Sequence, residues 1–130
     1  MEQSRKPQLL VVDDQKGITA LLEALFEPMG YDVLVAADGA SGLDLARERR
    51  PEVIILDWVL PRLSGRDVLA ALKADPRTSP IPVIVLTGLQ AVIDPRIITE
   101  GQISCLAKPF DLEALISLVA EKTGRGVSSA

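Results

Sequence analysis

Five side chains in this sequence could do chemistry together: Asp13, Asp14, Asp57, Thr87 and Lys108. Each ends or closely follows a short apolar run, at residues 9–12, 53–56, 81–86 and 103–107. Taken singly they have ordinary readings. An Asp pair ahead of a helix reads as an N-cap, Asp57 as a turn residue, Thr87 as a cap for the next element, and Lys108 as a surface lysine. Taken together they read differently. Three carboxylates in one place repel one another unless a cation compensates. A few hard carboxylate oxygens suit Mg²⁺, which keeps several waters as well. A metal and a lysine ammonium beside one carboxylate would stabilise a phosphoryl group in transfer, whose charge spreads over its equatorial oxygens. That carboxylate could then act as nucleophile and become an aspartyl phosphate. The Thr87 hydroxyl could donate a hydrogen bond to the phosphate.

Such a meeting needs a fold that brings four strand ends to one edge. Residues 53–57, Val-Ile-Ile-Leu-Asp, are apolar and mostly β-branched up to the aspartate. That is the pattern of a strand buried on both faces, ending on a carboxylate with no reason to be buried. Residues 9–12 read as an earlier strand. Ile18, Leu21, Leu22, Leu25 and Phe26 then recur at the spacing of an amphipathic helix, closed by Pro28 and Gly30. Residues 31–36 read as a strand, Asp38-Gly39 as a turn, and 40–49 as a helix with Leu43 and Ala46 inward. Ser64 should cap a helix carrying Val68, Leu69 and Leu72, which Asp75-Pro76 ends. Residues 81–86 and 103–107 read as the fourth and fifth strands. Asp111 should cap a last helix with Leu112, Leu115, Ile116 and Val119 on one face, ended by Gly124.

Strands alternating five times with helices predict an α/β fold: a doubly wound parallel sheet with right-handed crossovers. Five strands in this length suit the flavodoxin-like (βα)5 order 2-1-3-4-5, whose ligands bind beyond the carboxyl ends of the strands. One domain over 8–123 is expected, between an N-terminal tail at 1–7 and a disordered tail at 124–130. The fourth helix looks irregular, because Asp94-Pro95 intrudes. Proline costs about 3 kcal/mol inside a helix but is welcome at its first position. This predicts a loop over 88–93 and a short helix over 95–100.

Composition narrows the function classes. The chain has 130 residues and a net charge of −4, which makes no electrostatic case for nucleic acid or an anionic membrane. Neither is an expected partner. There is no histidine, so histidine catalysis and ligation are excluded. One cysteine excludes an internal disulfide and fits a reducing compartment. No apolar run reaches the roughly 18–20 residues of a membrane span, and no secretory signal opens the chain, so the expectation is cytoplasmic.

With these residues in hand, the sequence resembles the receiver domain of two-component response regulators. Val-Val-Asp-Asp-Gln at 11–15, Ile-Leu-Asp-Trp-Val-Leu-Pro at 55–61, Val-Leu-Thr-Gly at 85–88 and Leu-Ala-Lys-Pro-Phe at 106–110 match that family's four motifs in order, across about residues 8–123. The resemblance implies that Asp57 is the phosphoacceptor. It implies that Asp13, Asp14, Asp57 and the backbone carbonyl of Trp58 hold Mg²⁺. Lys108 would pair with the phosphoryl oxygens and Thr87 would sense them. The donor would be a phosphohistidine on a histidine kinase or histidine phosphotransfer protein. The chain would be a signalling switch that catalyses its own phosphorylation and slow dephosphorylation, and a cis Lys108–Pro109 bond is implied. Phosphorylation would switch the face formed by the fourth helix, fifth strand and fifth helix.

Two departures from the family pattern stand out. Cys105 occupies the place of the usual switch aromatic and reads as a small buried hydrophobe. Val59 and Leu89 occupy the positions that, by resemblance, gate hydrolytic water. Neither can orient water, which implies slow loss of phosphate. The apolar residues of 89–98 and the fifth helix could pack into the core or serve a homodimer or effector contact. Two other functions fit some of these residues: a Mg²⁺-dependent phosphatase, for which no cap segment is found, and a degenerate receiver that only binds partners.

Overall fold

A period of two, buried on both sides, organises the molecule. The computed structural model describes residues 6–88, Arg96 and 103–124. Its five strands are β1 (Gln8–Val12), β2 (Asp32–Ala36), β3 (Val53–Asp57), β4 (Val83–Thr87) and β5 (Ile103–Ala107). All pair in parallel in the order β2-β1-β3-β4-β5, the flavodoxin-like order expected. Leu10, Val12, Ile54, Leu56, Val83 and Val85 point to one face. There they meet Leu43 and Ala46 of α2 (Gly39–Arg49) and Val68, Leu69 and Leu72 of α3 (Gly65–Ala74). Leu9, Val11, Val53, Ile55, Ile84 and Leu86 point to the other face. They meet Leu22 and Phe26 of α1 (Lys16–Phe26) and Leu115 and Val119 of the C-terminal helix (Leu112–Thr123). Central strands covered on both faces must be apolar at nearly every position, which explains the unbroken run that leads to Asp57.

Local signals end the helices where the sequence places them. The Ser64 side chain accepts from the Asp67 N–H at the start of α3, and Asp111 accepts from Glu113 N–H at the start of the C-terminal helix. Gly124, at φ 73°, closes that helix in the left-handed region. Tyr31 ties the same helix to α1. Its ring stands edge-on to Phe26 at 5.5 Å, and its hydroxyl shares a hydrogen bond with Thr123 at 3.1 Å.

Several expectations are corrected. Asp38-Gly39 is not a free turn: Asp38 caps α2 by accepting the Ser41 N–H at 2.8 Å, and Gly39 is already helical. The fourth strand starts at Val83 rather than Ile81, because Pro82 has no N–H for the ladder. Leu21, expected inward, is 42% exposed, since the apolar stripe of α1 is wider than the face it buries. The loop over 88–93 and the short helix over 95–100 lie outside the described residues apart from Gly88 and Arg96, and Arg96 is helical. The interface expected over 89–98 and most of the two tails lie outside them as well. Among the described residues no helix is long and apolar enough to cross a membrane.

Candidate functional site

The ladder continues one step past the ends of β1, β3 and β5. Asp13 N–H donates to the Ala36 carbonyl at 3.0 Å, Trp58 N–H to Leu86 at 2.9 Å, and Lys108 N–H to Thr87 at 2.7 Å. Asp57 is itself the last residue of β3, in register with Leu86. The carboxyl ends of β1, β3, β4 and β5 therefore present Asp13, Asp14, Asp57, Thr87 and Lys108 along one rim. One carboxylate oxygen each from Asp13, Asp14 and Asp57 lies within 4.8 Å of the others. Lys108 Nζ sits 3.1 Å from Asp13 Oδ2 and 3.3 Å from Asp57 Oδ2. The Lys108–Pro109 peptide is cis.

Asp57 is buried, at 5% exposure, against the expectation from its charge. Two features compensate: Lys108 at Oδ2, and the Val59 N–H, which donates to Oδ1 at 3.2 Å. The Asp13–Asp14 pair does not cap α1 either. Gln15 is the N-cap residue, and Asp13 Oδ1 accepts Gln15 N–H at 2.9 Å. Asp13 is 1% exposed and Asp14 is exposed. The Trp58 carbonyl accepts the Gly65 N–H at 3.0 Å, which uses one of its two lone pairs and leaves the other for a cation. Three carboxylates and a carbonyl form a hard oxygen set of the kind Mg²⁺ prefers, so the residues present fit that ion. Thr87 is half-buried, and its hydroxyl donates to the Gly88 carbonyl at 3.1 Å rather than to the carboxylates. Cys105 is half-buried on β5, and burial raises its thiol pKa.

Two residues that sequence reasoning passed over shape this rim. A Cβ on Gly65 would lie 2.5 Å from the Asp57 carbonyl oxygen and 2.6 Å from Trp58 Cα, so α3 can start there only on glycine. This glycine lies just past the motif at 55–61, and a Ser-Gly pair there reads only as a helix start. The other is Gln15, whose Oε1 accepts from Lys108 Nζ at 3.0 Å. Nothing in its sequence context signals that contact.

Burial pushes the Asp57 pKa above its ordinary 3.8, and the Asp13 charge pushes it further, while the Val59 N–H and Lys108 oppose both. An acid with a raised folded-state pKa binds its proton more tightly folded than unfolded. Its contribution to stability is whole below pH 3.8 and falls as pH rises through the raised value. In EDTA the chain should therefore lose stability relative to Asp57→Asn as pH rises through this window. Mg²⁺ should reverse the loss, adding about 2.7 kcal/mol at a hundred times its dissociation constant. Thermal melts at several pH values, with and without Mg²⁺, check this. The same pH dependence in the metal-free wild-type chain and in Asp57→Asn would contradict it.

The response regulator receiver domain profile matches residues 9–120. The chain is 39% identical over 114 residues to the DNA-binding dual master transcriptional regulator RpaA of Synechocystis sp., covering 87% of this chain and 47% of that protein. It spans about half the length of the curated relatives it matches. Among solved structures, a response regulator from Chloroflexus aurantiacus superposes with a TM-score of 0.81 at 30% identity, covering 93% of this chain and 100% of that one. The receiver domain of sensor histidine kinase PA1611 from Pseudomonas aeruginosa superposes with a TM-score of 0.81 at 26% identity, covering 92% and 99%. That structure holds a magnesium ion in its active-site cleft. The likeness to RpaA corrects one expectation. Net charge argued against any nucleic-acid partner, yet the relative is DNA-binding, and the net −4 is that of this chain, which covers 47% of that protein. Receiver domains bind Mg²⁺ at an acidic pocket, and an aspartate cluster is present here. A profile match across nearly the whole chain, on a parallel sheet of this order, shows that the chain belongs to the response regulator receiver domains, the signalling switches of two-component regulation.

Proposed function

We propose that this chain accepts a phosphoryl group on Asp57 from a phosphohistidine of a histidine kinase or histidine phosphotransfer protein. The observation that carries this reading is Lys108 Nζ, 3.3 Å from Asp57 Oδ2 within a cluster of three carboxylates. Asp13, Asp14, Asp57 and the Trp58 carbonyl would hold Mg²⁺. When bound, the ion supplies positive charge that offsets the carboxylates and polarises the phosphoryl oxygens. An Asp57 carboxylate oxygen attacks phosphorus as the bond from phosphorus to the donor's imidazole nitrogen breaks. The electron pair of that bond leaves with the imidazole, which takes a proton from solvent. Lys108 neutralises charge gathering on the phosphoryl oxygens. Thr87 turns its hydroxyl from the Gly88 carbonyl to a phosphoryl oxygen. Half-buried Cys105 cannot swing as an aromatic would, so this switch works through Thr87. By likeness to RpaA, the output is a DNA-binding effector.

Intact mass after treatment with acetyl phosphate and Mg²⁺ tests this. One added phosphoryl group is expected on the chain, with none in EDTA and none on Asp57→Asn. Equal labelling of Asp57→Asn would overturn the reading.

The phosphate should also persist. Val59 is 67% exposed at the mouth of the site and offers no group to orient water. Val59→Asn should speed hydrolysis by about tenfold, since a hydrogen bond to a charged transition state is worth ~1.5 kcal/mol. The decay of phosphorylated protein by intact mass measures this, and equal half-lives would count against it.

A further inference from the structure

Gln15 stands where a helix cap belongs and does not cap. It holds the N-cap position of α1 in extended backbone, φ −89° and ψ 109°, and its side chain accepts no helix N–H. Short oxygens from Ser, Thr, Asp or Asn are favoured there because they reach the first free amides. The longer glutamine reaches across to the residue after β5 instead, and its Oε1 accepts from Lys108 Nζ at 3.0 Å. Its own N–H donates to Asp13 Oδ1 at 2.9 Å, while Asp13 Oδ2 accepts from Lys108 at 3.1 Å. Asp13, Gln15 and Lys108 thus close a ring of hydrogen bonds beside Asp57.

An ammonium has three protons and no acceptor. Three oxygens face this one, from Asp13, Asp57 and Gln15. Two belong to buried carboxylates, and the third belongs to a neutral, exposed residue. Building on the phosphoryl-accepting reading above, we propose that Gln15 is a positioning residue: its amide oxygen aims Lys108 at Asp57 and is the partner that the ammonium exchanges for a phosphoryl oxygen. Releasing Asp13 would leave a buried carboxylate short of its cation. Releasing the Gln15 amide only returns it to water, at small cost. A neutral acceptor also orients the ammonium without cancelling its charge. A glutamate there would add a fourth carboxylate to the cluster and pair with Lys108.

The test compares the whole chain with Gln15→Met, of similar length but without the acceptor, and with Gln15→Glu. Acetyl phosphate is the donor, and the phosphorylation rate is split into a KM and a limiting rate. Mg²⁺ affinity is read separately from the fluorescence of Trp58, the one tryptophan and the neighbour of Asp57. Gln15→Met is expected to keep its thermal midpoint and Mg²⁺ affinity while its limiting rate falls about fivefold, the worth of one hydrogen bond. Gln15→Glu is expected to fall further and to raise KM for the anionic donor. A wild-type limiting rate in Gln15→Met overturns the positioning role. So does a fall matched by loss of Mg²⁺ affinity or of thermal stability, which would assign Gln15 to the metal site or the fold. A wild-type chain that takes no phosphoryl group at all overturns the phosphoryl-accepting reading, and this role with it.

Discussion

Lys108→Ala is expected to lower stability in EDTA by about 3 kcal/mol and to slow phosphoryl acceptance by about a hundredfold. Lys108 is the cation that faces both buried carboxylates. The side chains of Asp13 and Asp57 are 1% and 8% exposed, and Lys108 is 20% exposed. Removing one partner of a buried ion pair costs about 3–5 kcal/mol, because the remaining charge stays buried. The lower end applies here, since Asp57 can relieve the strain by taking a proton. That relief works against function. Its pKa already stands above the ordinary value, and losing Lys108 raises it further, leaving less of the anionic nucleophile. Mg²⁺ should restore most of the stability, because it supplies positive charge to the same oxygens. It should not restore the rate, because the ammonium beside the phosphoryl group is gone. Denaturation in EDTA and in Mg²⁺, with intact-mass kinetics, separates the two effects. A variant as unstable in Mg²⁺ as in EDTA would show that Lys108 serves packing rather than charge.

Gly65→Ala should be nearly as damaging, costing about 3 kcal/mol, the upper range for overpacking. Its Cβ would press on the Asp57 carbonyl oxygen at 2.5 Å and on Trp58 Cα at 2.6 Å. Both are backbone atoms, so no side chain can rotate away. The shift would fall on the segment that carries Asp57 and on the Trp58 carbonyl, which the Gly65 N–H holds at 3.0 Å. Phosphoryl acceptance should therefore drop along with stability. Gly17→Ala is the matched control. Nothing lies within 4 Å of its added methyl, and within α1 it should stabilise by about 0.5–1 kcal/mol. Chemical denaturation of the two variants checks the pair, and a neutral Gly65→Ala would mean that the rim adjusts freely.

Much of this fold is legible because its signals are local and repeated. The apolar run into Asp57 marks a strand with two covered faces, and Ser64 and Asp111 mark helix starts through short side-chain oxygens. Strand ends in a parallel sheet share an edge, so Asp13, Asp57 and Lys108 could be placed together before any distance was known. What the sequence hid depends on close approach. The α1 stripe could not reveal that Leu21 stays exposed, because burial depends on where the helix lands. Taken alone, Asp13 and Asp14 read as a cap, and only the backbone path shows Gln15 taking that place. Gly65 acts through close approach to the Asp57–Trp58 backbone, and Gln15 through one contact with Lys108 far along the chain, which no periodicity encodes. Charge misled in a different way. A net −4 belongs to this chain alone, whereas DNA binding is named for relatives twice its length.

The most direct measurement is a crystal structure grown with Mg²⁺ and beryllofluoride, a mimic of the phosphoryl group. The expected result is one Mg²⁺ bound about 2.0–2.1 Å from oxygens of Asp13, Asp14, Asp57 and Trp58. The fluoride adduct should sit on an Asp57 oxygen, with Lys108 against its fluorines and Gln15 released. A metal seated away from these aspartates, or an adduct on any other side chain, would contradict the phosphoryl-accepting role of Asp57.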